Sequence, residues 1–119
     1  MSNQFIDYQQ HLIHFITLIE KIKYYYFMDE SSLLQAIEHY NEEVKNYALN
    51  PVLNEEIYSI APSQLSSTSP NHLYYKLLIE LSEQPLHNFQ QGTLLCDLNK
   101  RQQRIYHTYL KIKELQNDL

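Results

Sequence analysis

Apolar residues return every seven positions at both ends of this chain. Phe5, Leu12, Ile19 and Tyr26 form one series, Tyr8, Phe15 and Ile22 repeat it three residues later, and Ile16 widens the stripe. Alternating steps of three and four keep side chains on one face of an α-helix, so the pattern predicts a helix from about residue 3 to 28. Near the other end Leu98, Ile105, Ile112 and Leu119 keep the same interval, with Leu94, Thr108 and Leu115 on the companion stripe. Two long amphipathic helices in 119 residues leave space chiefly for more helix. Gly92 is the sole glycine. Hairpins, strand bulges and phosphate-cradling loops usually require glycine at positive φ, so their chemistry is missing.

The residues between the two long patterns divide at turn signals. "MDESS" (28–32) interrupts the first. Ser32 with Gln35 fits a capping box for a second helix, and Asp29 and Ser31 are further N-cap candidates. That helix should bury Leu33, Ile37, Tyr40, Val44 and Tyr47, and stop at Asn50-Pro51, because the residue before proline is pushed out of the α region. A short helix from Asn54 to about Ala61 would turn Ile57 and Ile60 inward. "PSQLSSTSP" (62–70) has loop composition: five Ser/Thr between two prolines and no charge. A fourth helix over 71–83 places Leu73, Leu77 and Leu81 inward with Tyr74 beside them, and Pro85 interrupts it. "LHNFQQG" suggests a further turn closed by Gly92, before a last helix from about Thr93. The expected fold is all-α. It is an antiparallel bundle of four to five helices with long first and last members, occupying residues 1–119 as one domain with a Ser/Pro-rich loop at 62–70.

The net charge of −5 is unevenly distributed. Residues 1–60 hold three lysines against nine acids, whereas residues 61–119 hold six cations against five acids. Within 98–113 every charge is positive: Lys100, Arg101, Arg104, Lys111 and Lys113. An acidic whole disfavours general nucleic-acid binding, which depends on neutralising phosphates. Nucleic acid would have to use the basic 98–113 helix, which also suits an acidic peptide. Arg101 falls on the apolar seam, so it must either snorkel past it or pair with an acid.

Catalytic patterns are scarce. His11 and His14 stand three apart and could share a metal, but the sequence assigns no further ligand to their face and offers only the distant Cys96, so both are expected to face solvent. Cys96 is the single cysteine, which fits a reducing compartment and a buried structural thiol. No Gly-rich loop, nucleophile elbow or metalloprotease motif occurs. The expectation is a protein that is not an enzyme and uses no cofactor or metal. With no secretion-signal layout at the N-terminus and no apolar run of about 20 residues, the expected setting is cytoplasmic, without a membrane.

Tyrosine is the compositional anomaly, with eleven copies. Tyr24, Tyr25, Tyr26 and Phe27 are consecutive, and at about 100° per residue they spray around most of a helix. One core cannot receive all four. Tyr26 continues the core stripe, Tyr25 shares a weaker strip with Leu18, and Tyr24 and Phe27 point elsewhere. A large ring with a polar tip suits protein interfaces. The residues expected to meet a partner are therefore Tyr24, Tyr25 and Phe27, together with Lys100, Arg101 and Arg104 on the basic helix. The partner would be another protein, or a second copy in a homodimer.

One resemblance adds a sharper alternative. "PNHLYYKLLIELSE" (70–83) resembles a proline-led Leu…Tyr-Tyr-x-x-Leu-x-x-Leu-x-Glu helix in the C-terminal half of PriC, the primosomal replication protein N″. "RIYHTYLKIKEL" (104–115) is similar to the last helix of that family, and together they cover roughly the final 50 residues. The resemblance implies a replication-restart factor that recognises the single-stranded-DNA-binding protein and the fork and helps reload the helicase. Arg101 and Arg104 would then receive an acidic tail or phosphates.

Overall fold

A computed structural model describes residues 8–49, 70–87 and 91–117. They form four helices: α1 (Tyr8–Tyr26), α2 (Glu30–Ala48), α3 (Pro70–Glu83) and α4 (Gln91–Asn117). No strand occurs among the described residues. The expected short helix over 54–61 lies outside them, as does the 62–70 loop apart from Pro70. That proline opens α3, where its missing N–H costs no hydrogen bond.

The heptad stripes do what their spacing requires. Leu12, Phe15, Ile19 and Ile22 of α1 and Leu98, Ile105 and Ile112 of α4 are wholly enclosed. Leu33, Ile37, Tyr40 and Val44 of α2 join them, and α3 adds Tyr74, Leu77, Leu78 and Leu81. Each buried Leu, Ile or Phe contributes about 1.5–3 kcal/mol of transfer free energy, which outweighs the modest intrinsic helix preference of such short segments. Leu18, expected on a weaker strip with Tyr25, is also buried. Packing against both α2 and α4 makes the apolar arc of α1 wider than a two-residue seam.

Four antiparallel steps build the bundle. α1 packs on α2 and α4, and α3 packs on the same two helices, so α2 and α4 lie across a diagonal. The α1–α2 connection is only Phe27, Met28 and Asp29, closed by backbone bonds from Met28 and Asp29 to the Tyr25 carbonyl, both 3.1 Å. Asp29 is the N-cap of α2: its carboxylate accepts from the Ser32 amide at 3.2 Å. Of the three candidates it wins because the tight turn leaves it extended ahead of the helix, while Ser31 and Ser32 are already inside. Gly92 does not close a helix. It is the second residue of α4, and no glycine among the described residues adopts positive φ.

Tyrosine serves packing more than the composition suggested. Tyr8 and Tyr74 rings lie 4.9 Å apart, His11 and Tyr47 4.7 Å, and Phe15 and Tyr47 5.1 Å. These rings knit α1, α2 and α3 together. The two histidines are part of the same seam rather than solvent-facing. His11 Nδ1 is hydrogen-bonded to the Tyr74 hydroxyl at 2.7 Å, and His14 Nε2 donates to Glu43 at 2.9 Å.

Candidate functional site

Two surfaces stand out on this frame. The first is the α1–α2 corner. Tyr24 is 60% exposed, Phe27 73% and Met28 64%. Phe27 and Met28 belong to the three-residue turn rather than to either helix, and neither is drawn into the core. The rings brace one another, Tyr24 edge-on to Tyr25 at 5.3 Å and Tyr26 edge-on to Phe27 at 5.0 Å. Tyr25 and Tyr26 are half-buried against the core. So the four aromatics divide evenly, two packed inward and two outward.

The second surface is a groove of about 570 Å³ between α3 and α4. Leu73 and Leu77 of α3 form its apolar side, and Lys76, Lys100, Arg104, His107 and Lys111 line it. Lys100, Arg104 and Lys111 recur at steps of four and seven, which aligns them along one face of α4 over about 16 Å. Arg104 bridges to Glu80 of α3 at 2.7 Å. Lys76, Lys100 and Lys111 are exposed and have no acidic partner among the described residues.

Of the residues expected to meet a partner, Tyr24, Phe27, Lys100 and Arg104 are outside, and Tyr25 is half-buried. Arg101 is different. Its side chain is 10% exposed and turned into the bundle, where Nε donates to Asp97 at 3.1 Å. It lies beside the Tyr40 hydroxyl, and neither that hydroxyl nor Arg101 Nη1 has a well-formed hydrogen bond. Burial pushes the Tyr40 phenol up from its ordinary range, and the neighbouring guanidinium partly pulls it back. Arg101 is thus the paired seam arginine, not a residue presented to a ligand.

The groove also has members that sequence order alone could not assign. Lys76 sits on a different helix from the basic run, and only the antiparallel α3–α4 pairing brings it opposite Lys100 and Lys111. His107 joins through heptad register, seven residues after Lys100. The remaining candidate groups fall apart. Cys96 is exposed, because Leu94 and Leu98 occupy the inward face on either side of it. Glu43 and Tyr74 already engage the His14 and His11 rings, and no cluster of three metal-ligating side chains occurs among the described residues.

The fold defines the class: an all-α antiparallel bundle, with four helices among the described residues. No protein-family model, curated protein or solved structure matches the chain significantly. Among the described residues no helix is long and apolar enough to cross a membrane.

Proposed function

We propose that this protein is a non-enzymatic helical interaction module, an adaptor, chaperone, inhibitor or assembly factor that works in the cytoplasm. The observation that supports it is the exposure of Tyr24, Phe27 and Met28 on a short, capped corner. Rigid aromatic residues cost little entropy to immobilise and supply the anchors on which protein interfaces concentrate their energy. The basic α3–α4 groove adds a second contact surface of opposite character, suited to steering acidic partners.

Affinity capture from the native host with matched variants tests this reading. A partner retained by the wild-type chain should be lost with Tyr24→Ser/Phe27→Ser or with Lys100→Glu/Arg104→Glu. Retention of every captured protein by both double variants would sink it.

A second reading, a PriC-like replication-restart factor, draws support from the four cationic positions gathered in one groove. An acidic tail or a short run of phosphates matches that array. Arg104 and Lys100 would carry the contact, with Lys76 in place of the enclosed Arg101. Fluorescence anisotropy with a single-stranded oligonucleotide and an acidic-aromatic tail peptide decides it. Absence of binding to both at low salt removes this reading.

A further inference from the structure

The outer face of α2 is the chemical inverse of the α3–α4 groove. Glu30, Leu34, Glu38 and Glu42 follow one another at steps of four along α2, and all four are exposed. Steps of four form a continuous ridge, here about 18 Å long. The cationic row Lys100–Arg104–Lys111 spans about 16 Å at steps of four and seven, with Lys76 facing it. None of the three glutamates has a cationic partner among the described residues, and neither do Lys76, Lys100 and Lys111. Three unpaired carboxylates match three unpaired ammonium groups. Leu34, 40% exposed, stands between the acids, where the groove offers the half-buried Leu73.

We infer that the groove takes the α2 ridge of a second copy of this chain. The ridge seats between α3 and α4 of the neighbour, Leu34 against Leu73 and the glutamates against the lysines. Because α2 and α4 lie across the diagonal of the bundle, one molecule's ridge and groove face different ways. The contact is therefore heterologous: each copy gives its ridge to one neighbour and its groove to another, and the assembly is open-ended or closes into a ring. A single helical ridge buries a small area, so the association is weak and strongly dependent on salt. The inference rests on the groove being a protein-binding surface, and it names the occupant.

Sedimentation velocity of the full chain tests it. At protein concentrations on the order of 0.1–1 mM and about 0.01 M salt, where charges act over about 30 Å, the average mass should climb well above the monomer. The monomer is 14.3 kDa. At about 1 M salt, with screening at about 3 Å, it should return to that value. Glu38→Gln/Glu42→Gln and Lys100→Gln/Lys111→Gln should each stay monomeric alone. Mixed in equal amounts they should form a one-to-one dimer and nothing larger, because only one intact ridge and one intact groove remain to meet. All four positions are exposed, and unchanged circular dichroism would verify folding. Wild-type chain that stays monomeric at low salt overturns the inference, whether or not the groove variants lose an external protein or an oligonucleotide. So does a mixture in which both variants remain monomers. Failure here leaves the aromatic corner and the capture experiment untouched.

Discussion

The Asn41 side chain pairs with the backbone of Leu86 through two hydrogen bonds. Its Nδ2 donates to the Leu86 carbonyl and its Oδ1 accepts from the Leu86 amide, each at 2.9 Å. Leu86 follows the end of α3 and is itself buried, so its peptide groups have little access to water. One α2 side chain thus completes backbone bonding that no helix supplies there.

Asn41→Ala should therefore cost more than an average hydrogen bond. It leaves a donor and an acceptor unpaired, at about 1–3 kcal/mol for such groups. Asn41→Asp should be about as harmful, since a carboxylate cannot donate to the carbonyl. Urea unfolding followed by circular dichroism measures both. A loss below about 0.5 kcal/mol for Asn41→Ala would show that the clamp is incidental.

Alkaline stability reports on Tyr74. Burial pushes its phenol well above the ordinary tyrosine range, with nearby Tyr47 and Tyr8 adding to the shift. Above about pH 10 the unfolded chain loses this proton while the folded chain keeps it, so the unfolded state binds fewer protons and unfolding gains ground as pH rises. Stability present below that pH should fall by about 1.4 kcal/mol per pH unit for each such tyrosine. Tyr40, shifted the same way, adds to the slope. Urea titrations between about pH 9 and 11 should show a shallower decline for Tyr74→Phe than for the wild type. Equal slopes would mean that the Tyr74 hydroxyl ionises freely in the folded state.

Substitutions at the corner and in the core should separate cleanly. Tyr24→Ser and Phe27→Ser change surface that is already wet, so stability should move by no more than about 0.5 kcal/mol. Leu98→Ala opens a cavity beneath a wholly enclosed position and should cost about 2–5 kcal/mol. Thermal melts of the three variants provide the comparison. A large destabilisation by Phe27→Ser would place that ring in the core after all.

Arg101 offers a test of charge against packing. Its guanidinium is nearly enclosed, has one partner and leaves Nη1 unsatisfied. Arg101→Met keeps the length of the stem and removes the desolvated charge, while the Asp97 carboxylate stays half in water. Replacing an imperfectly compensated buried ion by an apolar isostere is often neutral or stabilising, so the variant should melt at or above the wild-type temperature. A marked fall in melting temperature would show that the Asp97 pair is a net stabilising contact.

Much of the fold was legible in the residues, and for a definite reason. Helical periodicity is a local property, visible wherever Leu12, Phe15, Ile19 and Ile22 or Leu98, Ile105 and Ile112 recur at seven. Pro85 and the Asp29 turn mark boundaries for equally local reasons. The misplacements share a cause as well. His11 and His14 looked solvated because Tyr74 and Glu43, which hold them, lie 63 and 29 residues away. Cys96 is the exception: thiols are commonly buried, yet the stripe of Leu94 and Leu98 by itself puts position 96 on the outward side of α4.

Sequence alone therefore settled that the chain is helical, which stripes are buried, and that four consecutive aromatics exceed what one core can take. It also exposed the separation of charge between the halves. Tertiary packing decided which rings went outward, turned Arg101 inward, and set Lys76 opposite Lys100 and Lys111. Those outcomes depend on which helices become neighbours, and the free energy that chooses neighbours comes from contacts between residues far apart along the chain.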